Sequence, residues 1–261
     1  MSFGKDDPTY RGPGVGRSRK LVIEMDGTED YVEVGDHPVF NFTDGAGNDR
    51  PFSISAWVQT TSSNDQGAIL SKNSGNGVPS NWLLVHDQGE IQAFIYDGSG
   101  SNLAAIRAFT QSSGLLPPGE WSHVMMTYDG SKSQNGISVY VNGQTQSVSR
   151  SNPSPYTGLQ STSSPVRIGA NAAGGIGNEF EKYITECVVY NFEVNPSEAL
   201  EVYNQGRPLD MLSFSRHSDL VSWWRMGDGD SPGAGGIIDG VGSYNGTMEN
   251  DAKIVAVRDL A

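Results

Sequence analysis

The chain of 261 residues has one cysteine, which excludes an internal disulfide, and no Cys/His spacing that suggests zinc. No long apolar run is present, so its composition excludes a membrane-spanning protein, a coiled coil and a disulfide-stapled miniprotein. Basic residues are scarce: 17 Lys and Arg stand against 30 Asp and Glu, a net charge of −13. A body of that charge repels nucleic acid and anionic membrane, so neither is an expected partner. Apolar residues are few as well, at 36 %, but 33 glycines explain part of this. Counting the glycines brings the share near the ordinary ~45–50 %, enough for a full core and too much for a disordered chain. Residues Met1 to Asp7 lack the apolar stretch of a secretory signal, which leads to the expectation of a protein made in the cytoplasm.

What is present is a glycine-punctuated series of short strands. Residues 1–20 carry Gly and Pro without periodicity and read as an extended arm. The arm holds Lys5, Arg11, Arg17, Arg19 and Lys20 against Asp6 and Asp7, five positive against two negative, so it is +3 and the remainder is −16. From Leu21 on, apolar runs end at turn residues. Phe52, Ile54, Ala56 and Val58 alternate on one face of a strand. Trp82 to Tyr96 reads as a hairpin folded at Asp87-Gln88-Gly89, and Val139-Tyr140-Val141 leads into the turn Asn142-Gly143. One helix is expected: Asn195 as cap, Pro196 in the first turn, Glu198 three residues after the cap, with Gly206 and Pro208 closing it. About a dozen strands and one helix imply two antiparallel sheets packed as an all-β jelly-roll sandwich, with no second domain.

Several phrases then match a family. Met25-Asp26-Gly27 through Val34, Phe52 through Val58, Glu120-Trp121-Ser122-His123-Val124 with Thr127-Tyr128-Asp129-Gly130, Val139 through Gly143, and Tyr183 through Asn191 with the helix after it occur in the family order. Over roughly residues 21–206 the chain resembles laminin-G-like, concanavalin A-like jelly rolls. The closing strand reads Ile184-Thr185-Glu186 where the family carries Ile-Asp-Glu, which weakens an inherited calcium site there. Residues 220–247 resemble the lead-in that precedes such domains, although here they come last. The expected division is therefore an arm over 1–20, a jelly roll over 21–212, and a β extension over 213–261 that either completes the sandwich or is appended to it.

Some glycoside hydrolases of this fold use a Glu-x-Asp-x-x-Glu strand, and Glu24, Asp26 and Glu29 have that spacing. The Gly27-Thr28 that follows Asp26 ends the strand before it can carry both glutamates across a cleft, so a non-catalytic protein is expected. His37, His86, His123 and His217 come with no Gly-x-Ser-x-Gly elbow, and Gly174 to Gly177 lacks the Lys-Ser/Thr of a phosphate loop. His123 and Cys187 read as structural residues inside strands. Asp44, Asn48 and Asp49 offer hard oxygens on a glycine-rich loop, as calcium requires, although the same residues are common turn formers. Trp82, His86, Gln92 and Tyr96 suit stacking and hydrogen bonding to sugar rings if one face of the hairpin presents them; the other place for Trp82 is the core.

The resemblance extends to cassettes in tailed-phage structural proteins. It implies a virion-surface protein, a capsid decoration or tail-associated jelly roll, and the charge contrast between arm and body leads to the expectation that Arg11, Arg17, Arg19 and Lys20 dock onto another copy or an acidic shell or tail protein. The alternative is a secreted, extracellular glycan-binding module, and a hydrolase is the third class.

Overall fold

The computed structural model describes residues 19–74, 79–99, 101, 104–171, 179–227 and 236–260. Among the described residues seventeen strands follow in chain order: β1 (Arg19–Asp26), β2 (Tyr31–Gly35), β3 (Phe52–Gln59), β4 (Gln66–Lys72), β5 (Trp82–Asp87), β6 (Glu90–Tyr96), β7 (Ala105–Thr110), β8 (Ser122–Tyr128), β9 (Ile137–Val141), β10 (Gln144–Thr145), β11 (Val148–Ser151), β12 (Val166–Ile168), β13 (Glu181–Tyr190), β14 (Leu220–Trp224), β15 (Gly236–Ile237), β16 (Gly246–Glu249) and β17 (Lys253–Leu260). An eight-stranded sheet runs β10-β9-β8-β3-β13-β1-β17, with β14 beside β1 on the same edge of β13, and a nine-stranded sheet runs β11-β7-β6-β5-β4-β12-β2-β16-β15. Every ladder is antiparallel, so the chain is a two-sheet jelly-roll sandwich.

Alternation explains why the sheets stack. Phe52, Ile54, Ala56 and Val58 all point inward and are fully buried, opposite Leu84, Ala93, Ile95 and Ile106 of the other sheet. Two-residue loops set the hairpins. Gln88-Gly89 (φ 49° and 88°) and Asn142-Gly143 (φ 52° and 72°) place two consecutive residues in the left-handed region, the backbone that matches strand twist.

The helix α1 (Pro196–Tyr203) has the expected capping box: the Asn195 side chain accepts from the N–H groups of Ser197 and Glu198, and Glu198 returns a bond to the Asn195 N–H. It ends sooner than Gly206, because Asn204 (φ 47°) already turns left-handed and its N–H bonds to the Leu200 carbonyl. Ala199 and Val202 press onto Met125, Tyr140, Val188 and Tyr190, so the helix covers part of the outer face of the eight-stranded sheet.

Two boundaries differ from the sequence expectation. Arg19 and Lys20 lie in β1, which pairs with the C-terminal strand, so they belong to the sandwich; residues 1–18, with Arg11 and Arg17, lie outside the described residues. The last segment is woven into both sheets: β14 pairs β13, β16 pairs β2 and β17 pairs β1. Residues 213–260 are therefore part of the same sandwich. Asp239 holds this segment in place, accepting from the N–H groups of Trp223, Val241, Gly242 and Tyr244. Among the described residues, no helix is long and apolar enough to cross a membrane.

Candidate functional site

The β5–β6 hairpin separates the four residues expected to share a face. Its register pairs Trp82 with Ile95, Leu83 with Phe94, Val85 with Gln92 and His86 with Ile91. A two-residue loop makes the partner numbers sum to an odd value, so even-numbered residues of β5 share a face with odd-numbered residues of β6. Trp82 and His86 therefore point into the core, where both are fully buried, while Gln92 and Tyr96 point out. The Trp82 indole N–H donates to the Phe40 carbonyl at 2.9 Å. His86 Nε2 accepts the Gly89 N–H at 3.1 Å, and burial holds its pKa below the ordinary histidine value, so the ring is a neutral brace for the turn. Neither residue can reach a ligand on the surface.

The outward face of β5, β6 and β7 carries a different set. Phe94 lies at its centre, parallel to Tyr96 (6.0 Å, 7°) and edge-on to Phe109 (5.6 Å, 89°). The Arg107 guanidinium sits 5.5 Å from the Phe94 ring centre. Ala68, Leu83 and Ala105 form a buried floor beneath the rings. Gln92 Nε2 donates to Asp87 Oδ2 at 2.9 Å, and Gln66 Nε2 donates to the other oxygen of the same carboxylate. Burial pushes the Tyr96 hydroxyl up to about 12, so it remains a neutral donor. Phe94, Gln92, Arg107 and Phe109 are each half-buried, with part of every side chain facing solvent. Sequence reasoning missed Phe94, Arg107 and Phe109. The signal was present in the alternation of Ala105, Arg107 and Phe109 against Ile106, Ala108 and Thr110, which marks β7 as two-faced.

A family model described as the concanavalin A-like lectin/glucanase superfamily matches residues 26–199, two-thirds of the sequence. The chain belongs to this superfamily. No curated protein matches it significantly. Among solved structures, a candidate carbohydrate-binding protein from Bacteroides ovatus ATCC 8483 superposes with a TM-score of 0.60 at 18 % identity, covering 92 % of this chain and 61 % of that one. The present chain thus spans about three-fifths of that protein. The heptameric SAP-like pentraxin of Limulus polyphemus gives 0.55 at 14 % identity over 92 % and 96 % of the two chains. The CBM40 of the Ruminococcus gnavus IT-sialidase gives 0.52 at 14 % identity over 71 % and 97 %. At these identities the likenesses establish the jelly-roll fold.

As a superfamily member the chain has to be tested for glucanase and calcium chemistry. Glu24 lies in β1 of the eight-stranded sheet and pairs with Lys182 (3.4 Å) and Lys253 (3.2 Å). Partial burial raises its pKa, but the hydrogen bonds and charges of the two lysines outweigh that and leave it lowered. Asp26 Oδ1 accepts the Thr28 N–H, and Glu29 has left the strand with φ 62°. The three carboxyls therefore do not line one strand face, and the strand is in the sheet opposite the Phe94 face.

The loop residues Asp44, Asn48 and Asp49 do not converge on one point. Asp44 Oδ1 accepts the N–H groups of Ala46 and Asn48, and its Oδ2 accepts the Asn48 side-chain amide at 2.7 Å. These bonds hold the Asp44 pKa at about 2. Asp49 turns the other way. Its Oδ2 accepts the hydroxyls of Tyr128 (2.6 Å) and Tyr156 (2.7 Å), and its Oδ1 accepts the Leu159 N–H (2.6 Å). Oxygens already filled by internal donors do not fit a calcium ligand set. Among the described residues no group of three or more His, Cys, Asp or Glu side chains is arranged to hold a metal ion.

His123 and Cys187 are both buried in strands of the eight-stranded sheet. The His123 ring lies against Trp57 at 5.4 Å, and burial pushes the Cys187 thiol far up, which leaves it protonated and inert.

Proposed function

We propose that this protein is a non-catalytic glycan-binding module whose platform is the outward face of β5, β6 and β7. The observation that carries this reading is the half-buried Phe94 ring at the centre of that face, with Phe109 edge-on to it, the buried Tyr96 packed parallel as its support, and Arg107 and Gln92 at its margin. Flat apolar rings match the C–H faces of a pyranose, and planar amide and guanidinium groups match its hydroxyls. The names of its structural neighbours support the reading: one is a candidate carbohydrate-binding protein, and the CBM40 was solved with α2,3-sialyllactose bound.

A glycan array finds the ligand, and calorimetry measures it. Phe94→Ala is expected to weaken binding about 30-fold, the effect of losing roughly 2 kcal/mol at a central aromatic anchor. Unchanged affinity of Phe94→Ala, or an array without a hit, counts against the platform. Reducing-sugar release that disappears in Glu24→Gln would show a hydrolase instead.

The second part of the proposal is location. Residues 1–18 hold Lys5, Arg11 and Arg17 against Asp6 and Asp7, +1 against −14 for the rest of the chain, and that contrast favours display on a virion, with this segment docked to an acidic shell or tail protein or to another copy. Antibody raised against the sandwich is expected to label purified particles. Deletion of residues 1–18 leaves β1 whole and is expected to abolish labelling while the melting curve stays unchanged. Persistent labelling, or protein recovered from the medium free of particles, overturns the virion reading and favours the extracellular one.

A further inference from the structure

The β5–β6 hairpin closes with two carboxylates opposite each other: Asp87 pairs with Glu90 across the two-residue loop, both on the outward face. Like charges so placed repel. Two amides offset that repulsion at Asp87. Gln66 pairs with Asp87 from β4, and Gln92 follows Glu90 two residues along β6. Gln92 Nε2 donates to Asp87 Oδ2 at 2.9 Å, and Gln66 Nε2 donates to Oδ1. A carboxylate accepts hydrogen bonds and donates none, so only the NH2 side of each amide can meet it. Both carbonyl oxygens are therefore turned away from Asp87, and among the described residues neither accepts a bond from the protein. Gln66 is exposed and Gln92 half-buried, on the face that carries Phe94.

Holding the amides in this sense gives the face a polarity. Phe94 lies two residues beyond Gln92 in β6, about 7 Å along the strand. A pyranose stacked on that ring sets its rim hydroxyls toward the Gln92 oxygen, which accepts. On the neighbouring strand Arg107 pairs with Phe94 and offers donors only. One end of the face thus accepts hydrogen bonds and the other donates them. A free hydroxyl at the accepting end donates to Gln92. A sulfate or carboxylate there donates nothing and meets the like charges of Asp87 and Glu90. On the basis of the glycan-binding reading above, we infer that Asp87 is a positioning residue: by holding Gln92 in this sense it makes the site select pyranoses with free hydroxyls at that end over those carrying sulfate or carboxylate there.

Glucose, galactose and mannose tetrasaccharides, each immobilised in neutral and in O-sulfated form, serve as probes for the intact chain and three variants. The intact chain is expected to bind a neutral glycan about tenfold better than its sulfated form. Asp87→Ala is expected to weaken the neutral form about fivefold and leave the sulfated form unchanged, which narrows the ratio to about two. Gln92→Met keeps the side-chain length, leaves Asp87 in place and should narrow the ratio equally; it carries the test alone if the melting curve shows Asp87→Ala unfolded. Phe94→Ala should weaken both forms alike and keep the ratio, which separates a lost orientation from a lost platform. A full preference retained in Asp87→Ala and Gln92→Met, or an intact chain that prefers the sulfated form, overturns the positioning role while the loss in Phe94→Ala leaves the glycan reading standing. An intact chain that binds none of the probes, neutral or sulfated, overturns both.

Discussion

Asp49→Ala is expected to lower the stability of the fold by about 4 kcal/mol, because one carboxylate satisfies three donors from two distant segments. Tyr128 is fully buried at the end of β8, Tyr156 is half-buried, and Leu159 is 1 % exposed. Hydrogen bonds to a charged acceptor contribute about 1.5–3 kcal/mol each, and a buried donor left without a partner costs about 1–3 kcal/mol. The three losses overlap, so their total falls well below the sum of the separate figures. The chain around the carboxylate is built for it. Gly158 has φ 118°, and a Cβ there would lie 3.0 Å from Asp49 Oδ1, so the 156–159 segment approaches this closely only with glycine. Burial, and then the nearby carboxylate, pushes the Tyr128 hydroxyl up, so it stays protonated as a donor while accepting the Lys132 N–H. Thermal unfolding should report a fall of roughly 10 °C, at about 2–4 °C per kcal/mol for a chain of this size. Asp49→Asn keeps one acceptor oxygen and should lose about half as much. A loss below about 1 kcal/mol in the alanine variant would mean that water replaces the carboxylate and that the cluster is not a structural tie.

The same residue shows where sequence reading stops. Asp44, Asn48 and Asp49 looked alike as loop oxygens, but Asp49 bonds to residues about 80 and 110 positions away, and no local pattern records that. The strand alternation at Phe52–Val58, the tight turns and the Asn195 cap were legible because each depends on neighbours within a few residues. Whether residues 213–261 complete the sandwich was not legible: the pairing of β17 with β1 joins opposite ends of the chain. The four residues expected on one face divide between two. Gln92 lies half-buried on the outward face and Tyr96 is buried on the same side, whereas the parity of the two-residue loop carries Trp82 and His86 into the core. Reading the register from the loop length first would have replaced that pair by Leu83 and Val85 and pointed to Phe94 between them.

The fold is expected to be acid-labile through its buried histidines, and His123 has the larger effect. It is 1 % exposed in β8 with its ring against Trp57, and its Nδ1 has no hydrogen-bond partner. No acceptor stabilises a charged ring there, and burial holds its pKa at about 3 against the ordinary 6.5. The folded-state pKa of this base is lowered, so the unfolded chain takes up a proton near pH 6.5 that the folded chain refuses. Stability is therefore complete above pH 6.5 and falls as pH drops, by about 1.4 kcal/mol per unit down to about pH 3. At pH 4.5 that amounts to about 3 kcal/mol from His123, and His86, also lowered by burial, acts in the same direction. Asp30 and Glu193, raised by burial, act in the opposite direction, but only as pH falls toward the carboxylate range. His123→Phe keeps a ring on Trp57 and removes the titration. Urea unfolding at pH 7.5, 6.0, 5.0 and 4.5 is expected to show equal stability within about 1 kcal/mol at the top of the range and an advantage of about 3 kcal/mol for the variant at the bottom. Parallel pH profiles would mean that water or a carboxylate reaches the protonated ring, and that the acid sensitivity of the fold arises elsewhere.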